Sequence, residues 1–99
     1  MNIETVKSAL PLFLLGETST TPGALAALEE AGTSPQSLLK RHQAGDWGNL
    51  DDHDQRMNAE ALRDGERLLS SYVLSTNVTV WVITEADRSY TLLLRPDEY

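Results

Sequence analysis

The stretch RLLSSYVLSTNVTVWVITEADRSYTLLLR, residues 67–95, decides the fold of this 99-residue chain. It contains three β-rich runs separated by the short polar connections TN and ADRS. Within the middle run, valines alternate with Thr79, Trp81 and Ile83, which is the period-two pattern of a β-strand. Connections this short join antiparallel strands, because parallel pairing needs a long crossover. The stretch therefore predicts a three-stranded antiparallel meander.

Two or three short helices are predicted ahead of the meander. Two segments each open with a capping hydroxyl followed by proline and close at a glycine: Thr21, Pro22 and Gly32 in the first, and Ser34, Pro35 and Gly45 in the second. A third helix begins near Asp51 or Asp52 and ends at Gly65, with Met57 and Ala61 facing inward. Helices first and strands after predict an α+β fold, with the helices packed on one face of the sheet.

The length of the chain predicts a single domain, residues 1–99. Residues 1–20 are its N-terminal arm, residues 21–65 its helical half and residues 66–96 its meander. Within the arm, the pattern allows a short helix over residues 2–10 and a fourth strand over the apolar residues 12–15.

The charge of the chain is strongly acidic, with a net value of −7. Seven acids lie within residues 46–66, opposed there only by Arg56 and Arg63: Asp46, Asp51, Asp52, Asp54, Glu60, Asp64 and Glu66. Such a surface repels nucleic acid and attracts basic proteins, so we expect a protein partner and no nucleic acid.

The absence of cysteine excludes disulfides, thiolate metal sites and cysteine nucleophiles, and it suits a cytoplasmic protein. The longest N-terminal apolar run, residues 9–16, is too short for a transmembrane helix, so no membrane association is expected. Both faces of the predicted sheet are apolar, and two apolar faces on one small sheet need two coverings. This pattern leaves room for a homodimer.

The stretch RHQAGDWGNLDDHD, residues 41–54, concentrates the residue types used in metal and hydrolase sites. Its histidines and aspartates show no recognised ligand spacing, so no metal site and no cofactor are predicted. A helix end, a turn and a new capped helix account for most of these residues. Four candidates remain, Arg41, His42, Asp46 and Trp47, of which Trp47 is expected to plug the loop onto the core.

A second cluster of candidates lies in TEADRS, residues 84–89. Glu85, Asp87 and Arg88 fall at a predicted hairpin turn, and loops held by rigid strands are favoured places for function. An arginine fork at this turn could bind an anion or the carboxylate of a partner.

Three motifs carry a resemblance to a known family: TPGA at residues 21–24, RHQAGDWG at 41–48 and ITEADRS at 83–89. Over residues 12–99 the chain resembles small uncharacterised bacterial proteins met on plasmids, integrative elements and prophages. Members are often labelled as modification subunits of type I restriction enzymes. That label does not suit this chain, because 99 residues cannot hold a methyltransferase domain and no cofactor loop is present. The resemblance implies a mobile-element protein.

The leading hypothesis is therefore a small acidic cytoplasmic interaction module that binds a host or element protein. Its predicted binding residues are Arg41, Trp47, Glu85, Asp87 and Arg88. The lack of a recognised catalytic motif favours a protein that is not an enzyme.

Two alternatives remain at this point. One is a small hydrolase or nuclease-like toxin, with His42 as acid–base, Asp46 orienting it and Arg88 stabilising an anion. That hypothesis requires the two candidate clusters to share one cleft. The other is a helix-turn-helix DNA-binding protein formed by the first two helices, which the acidic charge disfavours.

Overall fold

The computed structural model describes residues 11–99, which form three α-helices and a four-stranded mixed sheet. In chain order the elements are β1 (Glu17–Thr20), α1 (Pro22–Ala31), α2 (Pro35–Gln43), α3 (Asp52–Asp64), β2 (Leu68–Val73), β3 (Thr79–Thr84), β4 (Tyr90–Leu94) and a 3-10 turn (Pro96–Glu98). The α+β class predicted from the sequence is confirmed. The helix predicted over residues 2–10 lies outside the described residues.

The helices begin at the capping residues that the sequence indicates. Thr21 Oγ1 accepts a hydrogen bond from Ala24 N at 3.2 Å, Ser34 Oγ accepts one from Ser37 N at 3.2 Å, and Asp51 Oδ1 accepts one from Asp54 N at 2.8 Å. Each side chain satisfies one of the free N–H groups of a first helical turn. Among the described residues, no helix has the length and apolar character needed to span a membrane.

The sheet contains the predicted meander and one further strand. The strand order is β1-β4-β3-β2, with β2, β3 and β4 antiparallel as predicted and β1 parallel to β4. The prediction of helices before strands is wrong in one respect, since β1 precedes all three helices. The polar segment ETST joins the sheet through its backbone, which an apolar pattern does not reveal.

The fourth strand expected at residues 12–15 is not formed there, and that prediction is corrected to residues 17–20. The 12–15 segment bonds to the end of α2 instead: Leu12 N donates to Gln43 O at 2.8 Å and Gln43 Nε2 donates to Phe13 O at 2.8 Å. Phe13 is buried and Leu15 half-buried against the core, while Leu12 and Leu14 are exposed. The segment packs on the core through alternate residues and does not pair in the sheet.

All three helices lie on one face of the sheet, here called the inner face. Helices α1 and α2 pack with Val80, Val82 and Leu93, and α3 contributes Ala61 to a second cluster with Leu68. Met57 was expected to face inward, but its side chain is 52% exposed. The neighbouring Asn58 is buried instead, because it bonds to the backbone of β2.

Candidate functional site

The candidate residues 41–48 lie at the C-terminal end of α2 and in the loop that follows it, beside β2. His42 is the most enclosed of them, with no exposed surface. Its ring nitrogens meet two strands of the sheet: Nδ1 lies 2.5 Å from Ser70 Oγ and Nε2 lies 2.9 Å from Thr84 Oγ1. Sequence spacing places His42 on the inner side of its helix but gives no hint of partners 28 and 42 residues away.

The directions of these hydrogen bonds fix the tautomer of His42. The Thr91 hydroxyl donates to Leu15 O at 2.7 Å, so its oxygen accepts from the Thr84 hydroxyl, also at 2.7 Å. Thr84 must then accept from His42 Nε2–H, which leaves Nδ1 to accept from the Ser70 hydroxyl. In the described part of the chain no buried side-chain polar atom lacks a partner. His42 is therefore a neutral residue that completes a buried polar chain.

Burial also sets the charge state of His42. Loss of water, followed by the positive charge of Arg88, lowers the pKa of the imidazole from 6.5 to about 4. Near neutral pH the ring is uncharged, and the Ser70 hydroxyl beside it has no exposed surface. A serine and a histidine at hydrogen-bond distance resemble a nucleophile and its base, but in this arrangement neither reaches solvent.

Asp46 does not orient His42 as the hydrolase hypothesis requires. Its carboxylate accepts from Arg41 Nε at 2.6 Å and from Gly48 N at 3.1 Å, while its carbonyl accepts from the Tyr72 hydroxyl at 2.6 Å. The Arg41 hydrogen bond is the main reason that the pKa of Asp46 is lowered. The Arg41 guanidinium also lies over the Tyr72 ring, 4.5 Å from its centroid. These contacts fold the loop onto β2.

Trp47 is buried, in the position expected of a plug. Its ring stacks on Phe13, with centroids 6.3 Å apart and an angle of 22°, and meets the edge of His42 at 5.7 Å. The adjacent Gly48 has φ +77°, and a Cβ there would lie 2.1 Å from Ser71 O. Only glycine permits this close approach of the loop to the sheet.

The turn at residues 85–89 is held together by its own side chains. Asp87 accepts from Ser89 N at 3.0 Å and from Ser89 Oγ at 2.6 Å, bonds that lower the pKa of the carboxyl. Arg88 adopts φ +61°, and its Nη1 donates to Glu66 O at 2.7 Å and Glu85 O at 3.0 Å. Glu85 forms an ion pair with Arg67 at 3.7 Å. Each charged group of the turn thus has an internal role.

Phe13 lies between the two candidate clusters. Its ring meets His42 edge-on at 5.1 Å, and the Arg88 guanidinium lies over the same ring at 5.6 Å. The structure therefore brings His42 and Arg88 into one neighbourhood but inserts a phenyl ring between them. The surface pocket beside Trp47 and the pocket at the turn have no residue in common.

Two asparagines that the sequence analysis did not single out protect the free edge of β2. Asn58 accepts from Leu69 N at 3.1 Å and donates to Leu69 O, as a neighbouring strand would. Asn49 accepts from Val73 N at 3.0 Å through its side chain and donates its own N–H to Ser71 O at 2.6 Å. The unpaired N–H and C=O groups of an edge strand can pair with another chain, and these hydrogen bonds occupy several of them. The signal in the sequence was that Asn58 lies three residues before the inward-facing Ala61, on the same side of the helix.

The other face of the sheet, here called the outer face, carries apolar residues that the helices do not cover. Leu69, Ile83 and Leu92 form one cross-strand row, and Trp81 pairs with Leu94 in the next. A cavity of about 300 Å³ on this face is lined by Arg67, Leu69, Trp81, Ile83 and Tyr99. Within residues 11–99 the covering of this cavity comes from Tyr99, whose ring lies 5.8 Å from that of Trp81.

The geometry gives little support to a metal site or to helix-turn-helix DNA binding. Across residues 11–99, no three histidine or acidic side chains are grouped so that they could hold a metal ion. Helices α1 and α2 are joined at Gly32 as a helix-turn-helix would be, with Lys40, Arg41 and His42 in the last turn of α2. His42 is buried and Arg41 is paired with Asp46, so few positive charges are left for phosphates.

Comparison with protein-family models, with curated proteins and with solved structures found no match to this chain. The resemblance to mobile-element proteins therefore stays a prediction.

Proposed function

We propose that this chain is a non-enzymatic protein-interaction module that binds its partner through the outer face of the sheet. The observation that carries the proposal is that this apolar face has no helix over it in the described part of the chain. Ile83 and Leu94 on this face are buried, but Val73 is exposed, and three further residues are half-buried: Leu69, Trp81 and Leu92. Apolar surface that stays partly accessible in this way marks interaction sites. The partner would be a host protein or another product of the same mobile element.

The burial of the reactive groups supports a binding role. His42 and Ser70 are enclosed, and Asp46 and Arg88 are engaged with Arg41 and with backbone carbonyls. A general base must come within hydrogen-bond reach of a substrate, and here the path is filled by Phe13 and Trp47.

The contacts within the two predicted clusters favour a structural role for the clusters and a binding role for the sheet. Arg41, Trp47 and Arg88 stabilise the loop and the turn. On the outer face Val73 is exposed and Trp81 is half-exposed, so both can contact a partner. We infer that the clusters hold the sheet in shape and that the sheet makes the contact.

The test compares two variants of the full chain that place the same charge on different faces. Val73 on the outer face is 48% exposed and Leu25 on α1 is 42% exposed, so lysine fits at either position. Partners captured by the immobilised wild-type chain are identified, purified and titrated by calorimetry against both variants. Val73→Lys is expected to weaken binding at least tenfold and Leu25→Lys to leave it unchanged.

The reverse pattern, or equal binding by both variants, would overturn the proposal. So would a hydrolytic activity of the purified chain that His42→Gln abolishes while the variant remains folded.

A further inference from the structure

We infer that the cavity on the outer face receives an apolar side chain from a basic, amphipathic segment of the partner protein. This inference rests on the proposed function and adds the chemical class of the partner.

The cavity suits one large apolar side chain. Its volume of about 300 Å³ lies at the lower limit for pockets that hold small molecules. Leu69 and Ile83 form its floor, and the rings of Trp81 and Tyr99, inclined at 72°, form a corner. Arg67 at the rim is already occupied, because its guanidinium pairs with Glu85 and lies 5.4 Å from the centre of the Tyr99 ring. Aromatic walls around an apolar floor are typical of the pockets that anchor interfaces.

Hydrogen bonds anchor the turn that precedes Tyr99. The Glu98 carboxylate accepts from Thr21 Oγ1 at 2.6 Å, from Arg95 N at 2.8 Å and from Gly23 N at 3.3 Å. A Cβ on Gly23 would lie 2.6 Å from the Glu98 carboxylate, so glycine leaves the space for this bond. Tyr99 itself is 69% exposed. Its ring contacts Trp81 and Arg67 without being enclosed, so an incoming side chain can pack against it while the 3-10 turn stays anchored.

The size of the outer face argues against a second copy of this chain as the occupant. Four strands of about five residues have a projected area of roughly 300 Å² at the usual strand spacing and rise. A stable interface buries about 800 Å² of accessible surface on each partner. Two copies that meet through these strands alone would therefore form a small interface, whereas a flexible segment can cover the face and continue around its rim.

Charge favours a basic segment. The rim cations Arg67 and Arg95 are paired with Glu85 and Asp97. Glu17, on the outer face of β1, and Glu66, next to Arg67, form no ion pair within residues 11–99. The chain as a whole carries a charge of −7. Lysine or arginine flanking the inserted apolar side chain would meet unpaired carboxylates, while an acidic segment or a second copy would be repelled.

The experiment uses a labelled synthetic 18-residue amphipathic peptide of leucine and lysine, with a leucine–glutamate peptide of the same apolar pattern as its control. Fluorescence anisotropy is measured with the full-length chain at low and high salt. We expect the lysine peptide to bind at least tenfold more tightly than the glutamate peptide, with the difference reduced at high salt.

Two variants locate the binding. Tyr99→Ala removes one wall of the cavity at a mostly exposed position, so the fold should be preserved. The variant should weaken the binding of the lysine peptide at least fivefold. Leu25→Lys adds charge away from the sheet and should leave the binding of the lysine peptide unchanged. Equal binding of the two peptides, or binding of the lysine peptide that neither Tyr99→Ala nor Val73→Lys weakens, would overturn the inference. A dimeric wild-type chain that binds peptide only on dissociation would also overturn it, since a second copy would then be the occupant.

The outcome can be separated from that of the proposed function. If Val73→Lys abolishes capture of the natural partner but the lysine peptide does not bind, only the chemical class of the partner is wrong. If Val73→Lys leaves partner capture intact, the outer face is not the binding surface and both proposals fail.

Discussion

At the scale of single residues, His42 shows how far sequence reasoning reaches. Helical spacing correctly turned it inward, but the neighbouring aspartates suggested a carboxylate partner. In the structure its partners are hydroxyl groups on β2 and β3, because the sheet packs across that side of α2. Contacts between residues so distant in sequence follow from the fold and not from local spacing. The sequence therefore indicated where His42 lies but not which groups it bonds to.

The buried imidazole predicts a pH dependence of stability. In the unfolded chain His42 takes up a proton below pH 6.5, but in the folded chain burial keeps it neutral down to about pH 4. Its contribution is fully present above pH 6.5 and is lost as the pH falls toward 4, by up to about 3 kcal/mol. Chemical denaturation across this range should show that loss in the wild-type chain and a flatter profile in His42→Gln.

His53 provides the control for this measurement, because its side chain on α3 is exposed. His53→Gln should keep the pH profile of the wild-type chain. If His53→Gln flattens the profile and His42→Gln does not, the assignment to His42 is wrong.

Trp47 predicts a second effect at this scale. Its ring packs against Phe13 and His42, so Trp47→Ala leaves a cavity and should lower the free energy of unfolding by about 3 kcal/mol. The measurement is chemical denaturation followed by circular dichroism. An unchanged midpoint together with weaker partner binding would show instead that Trp47 contacts the partner.

At the scale of elements, the success of the prediction tracks the strength of each pattern. The meander was predictable because valine alternation and short polar turns both specify antiparallel neighbours. Strand β1 was not, because ETST is polar and gains its place through parallel backbone bonds to β4. Residues 12–15 gave the opposite error: an apolar run predicted a strand, but the segment packs on the core without joining the sheet.

The edge of β2 supports a prediction about Asn58. Asn58→Ala removes both bonds to the Leu69 backbone and should lower stability by about 1–3 kcal/mol. Hydrogen exchange of the Leu69 amide should become at least tenfold faster. Asn58→Asp keeps the acceptor for Leu69 N but sets a carboxylate oxygen against Leu69 O, so it should also lower stability.

Gln55→Ala is the matched control on the same helix, because the exposed Gln55 side chain donates one hydrogen bond, to the Leu50 carbonyl, within residues 11–99. It should change stability by less than about 0.5 kcal/mol. Equal exchange at Leu69 in Asn58→Ala and Gln55→Ala would contradict the role of Asn58 as a substitute strand.

At the scale of the whole molecule, the sequence correctly placed apolar residues on both faces of the sheet. The inner face is covered by three helices, and the outer face is left to Tyr99 and the 3-10 turn in the described part of the chain. What occupies the outer face was not predictable, because composition fixes neither the area nor the charge at its rim. A homodimer was one reading of the two apolar faces, and the small area of the outer face now opposes it.

The oligomeric state tests that argument directly. We expect the full-length chain to sediment as a 10.9 kDa monomer at micromolar concentration in about 0.1 M and about 1 M salt. Area limits association at both salt concentrations, while charge repulsion opposes it only at the lower one. A dimer at the lower concentration that Val73→Glu dissociates would contradict the argument from area. A dimer formed only near 1 M salt would show that charge, and not area, keeps two copies apart.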